Sequence, residues 1–167
     1  MTLEDGEILL RPFTEDDVPA LTAACHDPEI PRWTRVPSSY TEEDALAFVS
    51  RAAEGSFAIV DARTGELLGS IGVRPVGDGI GQIGYWVTRE ARGRGVATRA
   101  LRMISEWAFE TLELARLQLI TQPENLASER VAEKAGYQRE GFLRAYAELK
   151  GRRPDFHMYS LLPDDLR

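Results

Sequence analysis

The chain has 167 residues, 43% of them hydrophobic and 28% charged, with a formal net charge of −7, an ordinary composition for one globular domain with its own core. No apolar run approaches the roughly 18 residues of a membrane span, the acidic start MTLEDGEILLRP lacks a signal-peptide core, and the acidic balance argues against general nucleic-acid binding while suiting a cationic partner. The single cysteine, Cys25, excludes an internal disulfide and fits a reducing, cytoplasmic setting.

Taken in order, EILLR (Glu7 to Arg11) reads as a first strand. Thr14 caps a helix to about Ala24, with Glu15, Asp16 and Asp17 in its first turn. Cys25 beside His26 suggests either a nucleophile or a small residue near a helix end; neighbours on a helix do not face each other, which favours the second. Pro28 and Pro31 break the chain, and Pro31 to Thr41 is a loop. Thr41 caps a second helix, with Glu42, Glu43 and Asp44 in its first turn and Ala45, Phe48 and Ala52 along one face. Ser56 to Ala62, Leu67 to Pro75 and Ile80 to Thr88 read as strands, parted by the turn RTGE and by Gly77 to Gly79. Ala97, Ala100, Leu101, Ile104, Trp107, Ala108 and Leu112 recur at helical spacing and define a third helix. Ala115 to Pro123 is a fifth strand, ENLASERVAEKAGY a short helix closed by Gly136, and EGFLRAYAELK with DFHMYSLL a final hairpin around Lys150 to Pro154. The order βααβββαβαββ predicts one mixed α/β (α+β) domain over residues 1–167. Its helical crossover makes strands four and five parallel neighbours.

TREARGRGVATRALRMI places Gly93 and Gly95 directly before the third helix, alternating with Arg92 and Arg94. Free N–H groups and the positive end of the helix dipole suit phosphate at such a place. Three readings compete: a dinucleotide fingerprint, a phosphate loop and a ligand-free turn. GRGVAT has Thr98 where the fingerprint needs a third glycine or alanine, and it follows a polar loop, which speaks against a nucleotide-dependent oxidoreductase. No GxxxxGK[ST] string is present.

The surrounding sequence resembles the GNAT N-acetyltransferases. IGYWVTREARGRGVATRAL is similar to their acetyl-CoA motif, whose R/Q-x-x-G-x-G/A core is here Arg92-Gly93-Arg94-Gly95-Val96-Ala97. PENLASERVAEKAGYQREGFLR resembles the Asn-x-x-Ser helix of the family, with Asn125, Ser128, Gly136 and Tyr137. LLRPFTEDDVPAL, YTEEDALAFV and DFHMYSLL resemble the RimJ/RimL-like branch, which acetylates N-terminal amines of ribosomal and other proteins. The resemblance covers nearly the whole chain. It implies the GNAT fold with strands four and five splayed, acetyl-CoA as co-substrate, and no metal. It implies that the stretch from Arg92 through Gly93, Arg94, Gly95, Val96, Ala97 and Thr98 holds the pyrophosphate, with Asn125 and Ser128 also on the cofactor. Arg92 and Arg94, with Arg99 or Arg102 a turn later, would neutralise its charge, including that of the 3′-phosphate. It further implies a bulge at Tyr85, Trp86 and Val87, whose backbone binds pantetheine. The Val87 amide is the candidate to polarise the thioester carbonyl, while the Trp86 ring packs.

The same resemblance implies direct attack by the amine in a ternary complex. Many relatives place a tyrosine seven residues after the asparagine as general acid; here that residue is Ala132. In this branch Ser128 is the implied acid, against its reading as a helix-surface residue, and Asn125 serves also as a helix N-cap. The family glutamate of the fourth strand is replaced by Gln82, which cannot accept a proton. Glu148, on the expected sixth strand, is the remaining acceptor-side carboxylate, with Ala147 the competing equivalent. An α-amine titrates near ~7.7–8.0 and a lysine near ~10.4, so a missing base favours the α-amine as acceptor. His157, alternating with Phe156 and Met158, reads as a strand residue. Trp33, Tyr40 and Tyr146 are the expected acceptor-lining aromatics, and Glu42, Glu43 and Asp44 serve either a cationic acceptor or the helix dipole. The expectation is a cytoplasmic N-acetyltransferase for protein or peptide N-termini, monomeric or homodimeric. The alternatives are an acetyltransferase for a small amine, such as an antibiotic or polyamine, and a non-catalytic acyl-CoA-binding module.

Overall fold

In the computed structural model, which describes residues 1–52 and 54–166, local chemistry sets the ends of most elements. The strands are β1 (Leu3–Glu4), β2 (Ile8–Arg11), β3 (Ser56–Asp61), β4 (Leu67–Gly77), β5 (Ile80–Val87), β6 (Arg116–Thr121), β7 (Gln138–Leu143) and β8 (Phe156–Leu161). The helices are α1 (Val18–Ala24), α2 (Glu29–Trp33), α3 (Glu42–Arg51), α4 (Val96–Thr111) and α5 (Leu126–Lys134). The eight strands run in the order β1-β2-β3-β4-β5-β6-β8-β7, the mixed α/β architecture that the sequence predicts. Two compact units share this chain: Met1–Gly72 with Tyr85–Ala100, and Val73–Gly84 with Leu101–Arg167.

In the first unit β2, β3 and β4 pair antiparallel, with Leu10 opposite Ile59 and Ala58 opposite Ser70. The entry to α1 is held by Asp17. Its carboxylate takes both guanidinium nitrogens of Arg11, at 2.8 and 2.7 Å, and the Thr14 N–H at 2.8 Å. Burial raises the Asp17 pKa, but these partners outweigh it and hold the carboxyl below its ordinary range. Thr41 and Asp44 cap α3 reciprocally: the Asp44 N–H donates to Thr41 Oγ1 at 3.1 Å and the Thr41 N–H to Asp44 Oδ2 at 2.9 Å. The core includes Phe13, Leu21, Cys25, Ile30, Tyr40 and Val60. Burial pushes the Cys25 thiol up to about 12, which makes it a packed apolar group and not a nucleophile.

In the second unit β5 runs parallel to β6 over Ile80–Arg116, Gly81–Leu117 and Gln82–Gln118, as the crossover predicts. β8 then lies antiparallel between β6 and β7. α5 closes with two bonds that wrap its last carbonyls, Tyr137 N–H to Ala132 O and Gly136 N–H to Glu133 O, each 3.0 Å. The Tyr137 hydroxyl is thereby buried 2.8 Å from Ser105 Oγ of α4. On β7, Glu140 takes Arg116 at 2.7 Å through both oxygens and the Ser160 hydroxyl at 2.6 Å. The Arg116 bond is the main cause that holds its carboxyl near 2, against an ordinary 4.5. The pair therefore stabilises the fold fully above about pH 4.5 and loses this as pH falls toward 2. The Glu140 side chain is 43% exposed, so the contribution is about 0.2–1 kcal/mol. The Tm gap between wild type and Arg116→Ala is expected to be constant above about pH 5 and to close below it; a gap that persists into strong acid would contradict the pairing.

Three elements differ from the sequence reading. β1, of two residues, is too short to leave a periodicity. α2 occupies part of the expected loop, because Pro28 caps it and Pro31 sits in its first turn, where a missing N–H costs no helix bond. The sixth expected strand ends at Leu143 and does not reach Lys150. Ala145 takes a φ of 45°, and its N–H donates to Asp155 Oδ1 at 2.8 Å while its carbonyl accepts from Arg153 at 3.1 Å. Glu148 consequently sits in an exposed loop and not on a strand.

Candidate active site

α4 begins where the chain offers donors without side chains. Gly93 and Gly95 take φ values of 72° and 78°, in the left-handed region that favours glycine. A Cβ on either would meet nothing within 4 Å. The Gly95 carbonyl accepts from the Arg99 N–H at 3.0 Å. The N–H groups of Val96, Ala97 and Thr98 therefore precede the first internal bond of the helix. Open space before donors of this kind suits an anion.

The arginines divide. Arg92 lies 2.7 Å from Asp27 and donates to the Val87 carbonyl at 3.3 Å. Arg94 is 53% exposed, and its nearest ion-pair carboxylate, Asp61, is 4.0 Å away. Arg99 is shared between Asp5 at 2.9 Å and Glu7 at 2.8 Å, and Arg102 donates to the Lys134 carbonyl. Arg99 and Arg102, the further candidates expected to neutralise phosphate charge, are both held on protein oxygens. Arg94 has the loosest partner of the four.

β5 ends at Trp86 and Val87 in the same unit. The next N–H, of Thr88, donates to the Leu68 carbonyl of β4 at 2.8 Å. Trp86 is partly buried against the core, in the packing role expected for its ring. Tyr40, expected to line an acceptor site, is 8% exposed and belongs to that core; its ring is used for packing. Trp33 is half-buried, its indole N–H donates to Glu29 at 3.1 Å, and the Arg32 guanidinium lies 4.4 Å above its ring.

In the second unit Asn125 caps α5. Its side-chain oxygen accepts from the Ser128 N–H at 3.3 Å, and its own N–H donates to the Gln122 carbonyl at 2.9 Å. Ser128 thus sits in the first turn of α5, its backbone fixed by the cap. Ala132 is fully buried, so α5 carries no phenol there. Gln82 accepts from Gln118 Nε2 at 3.2 Å, an uncharged pair where a carboxylate would be a base. Tyr146 is exposed in the loop after β7, edge-on to Phe156 with ring centroids 6.5 Å apart. His157 is buried between Glu129, at Nδ1, and Arg139, 2.5 Å from Nε2. A guanidinium only donates, so Nε2 is the acceptor and the proton sits on Nδ1. With both nitrogens engaged, His157 is the structural residue that its alternation implies.

Sequence reasoning missed the Gln82–Gln118 and Arg92–Asp27 pairs. Parallel neighbours are legible in a crossover, but their register is not. Among the described residues, no group of three or more His, Cys, Asp or Glu side chains is placed to hold a metal, and no helix is long and apolar enough to cross a membrane.

Comparison with known proteins gives a consistent result. The family described as acetyltransferase (GNAT) domain matches residues 7–138. An uncharacterized N-acetyltransferase of Bacillus licheniformis, p20, is 29% identical over 171 residues, covering 96% of this chain and 96% of that protein. A GNAT-family acetyltransferase of Bacillus anthracis matches with a TM-score of 0.90 at 25% identity, over 98% of this chain and 99% of its own. Mycobacterium smegmatis RimJ, solved in complex with CoA-disulfide, matches with a TM-score of 0.84 at 25% identity, over 99% of this chain and 88% of its own.

Proposed function

The chain belongs to the GNAT acetyltransferase family, and from that premise we propose that it transfers acetyl from acetyl-CoA to the N-terminal α-amine of a protein or peptide, by direct attack with both substrates bound. Acetyl-CoA, when bound, supplies an acyl group activated as a thioester. The N–H groups from Gly93 to Thr98 hold its pyrophosphate, the Arg92 N–H being taken by the Arg89 carbonyl at 3.3 Å, and Arg94 adds charge. The Val87 N–H polarises the carbonyl. Asn125 orients the first turn of α5, and the Ser128 hydroxyl donates a proton to the departing sulfur. The CoA-disulfide bound by the RimJ neighbour supports the cofactor class. We take residues 1–167 as one such domain, acting without a metal in the cytoplasm, as a monomer or homodimer.

One observation carries the choice of acceptor: Gln82 is an amide, bonded to a second amide, Gln118, at 3.2 Å. Such a pair cannot strip a proton from an ammonium group. An acceptor that is already partly neutral near pH 7 then has the advantage, and an α-amine exceeds a lysine in neutral form by about 300-fold. A peptide beginning with Ala or Ser and carrying one internal lysine tests this directly. Acetylation is expected at the α-amine by at least about 10²-fold over the lysine. Glu148, as acceptor-side carboxylate, is tested on the same peptide by Glu148→Gln. Equal labelling of the two amines would overturn the α-amine preference, and faster turnover of a polyamine or aminoglycoside would replace this reading with the small-amine one.

A further inference from the structure

β4 carries one residue too many for its neighbour. Ile59 pairs with Gly69 and Val60 with Leu67, which leaves Leu68 over. A bulge of this kind bends its strand and turns its groups aside, and the Leu68 carbonyl is the one that accepts from Thr88 N–H at 2.8 Å. One residue on, a Cβ at Gly69 would lie 2.3 Å from the Trp86 carbonyl oxygen and 3.0 Å from Val87 Cα. Strands lying side by side keep each side chain clear of the neighbouring backbone. Here the backbone of β5 fills the side-chain place itself. Gly69 does not have a left-handed φ, so the glycine provides space and not conformational freedom.

The Trp86 carbonyl and the Val87 N–H belong to one rigid trans peptide. Whatever fixes the oxygen also fixes the N–H, which points the opposite way, away from Gly69. We propose that Gly69 is a positioning residue: its missing side chain seats the Trp86 carbonyl and thereby aims the Val87 N–H. This rests on the reading of that N–H as the donor to the thioester carbonyl. An alanine at 69 must drive the peptide back by about 0.7 Å to reach the 3.0 Å below which real Cβ contacts essentially never fall. Oxyanion donors act within a narrow range of distance, and an ~1 Å misplacement costs about 10²-fold in rate.

The test compares Gly69→Ala with Gly141→Ala on β7, where a Cβ meets nothing within 4 Å. In the free protein, the assigned amide resonances of Val87 and Thr88 are expected to move in Gly69→Ala and to stay in Gly141→Ala. In turnover, kcat is expected to fall about 10²-fold in Gly69→Ala, far more than CoA affinity, because the phosphate donors lie on another segment. Unmoved resonances would overturn the geometry. Moved resonances with wild-type kcat would overturn the proposal through the role given to Val87, leaving the packing intact. Equal losses of kcat, CoA affinity and Tm would mean general loosening, and would also overturn it. Should Gly69→Ala not fold, adding Ile59→Val removes the Cδ1 atom 3.3 Å away and keeps the clash with the Trp86 oxygen.

Discussion

Gly95→Glu is expected to abolish acetyl-CoA binding while leaving a folded protein. Position 95 has a φ of 78°, and a non-glycine residue there costs about 1–2 kcal/mol. The new side chain would enter open space, so no packed neighbour must move. Its carboxylate would face the free N–H groups of Val96, Ala97 and Thr98, which favour a negative charge. The substitution thus places the protein's own anion where the pyrophosphate belongs. A thermal-shift titration reads this directly. At ~100 times Kd, acetyl-CoA should add roughly 2.7 kcal/mol to the wild type, or several degrees for a domain of this size. The variant should show no shift, and NAD should shift neither protein. An unchanged acetyl-CoA affinity in Gly95→Glu would reduce the two glycines to a turn and remove the cofactor from the proposed function.

Ser128→Ala is expected to lower kcat by about 10²–10⁴-fold, the usual contribution of a positioned acid, with acetyl-CoA affinity nearly unchanged. The separation is clean because of how α5 starts. Asn125 Oδ1 accepts from the backbone N–H of Ser128, at 3.3 Å, and alanine keeps that N–H. The cap survives, and only the hydroxyl is lost. Equal losses in kcat and affinity would make Ser128 a binding residue and leave the leaving sulfur to take its proton from water.

Much of the fold and part of the site are legible in the sequence, for identifiable reasons. Thr41 followed three residues later by Asp44 is a local signal, and the reciprocal cap of α3 follows from it. The 3.6-residue recurrence from Ala97 onward is local too, and α4 spans Val96–Thr111. The glycine pair before α4 is visible as spacing, and its positive φ values follow from the turn it makes. What stays hidden depends on pairs far apart in the chain. Arg99 meets Asp5, 94 residues earlier, a pairing that helical position alone does not show. Gln82 meets Gln118 through a register that no single strand encodes. Tyr40 reads as a loop aromatic, yet the elements around it close over its ring. Gly69 looks like any glycine in an apolar strand, since the backbone that fills its side-chain place comes from residues 86 and 87.

The place of β8 bears on how the protein comes into being. Phe156–Leu161 separates β6 from β7, pairing with both. During synthesis β6 and β7 emerge first, each with an unsatisfied hydrogen-bonding edge facing a partner that does not yet exist. The two can meet edge to edge in a wrong pairing, or wait. The second unit therefore completes itself late and from the C-terminal side, by insertion and not by addition. Exposed edges of this kind invite association between nascent chains. A chain interrupted before Phe156 would lose the strand that joins β6 to β7, and with it the docking of α5 through His157 and Glu129. The last strand of the chain is in this way the one that decides whether half of the enzyme is assembled at all.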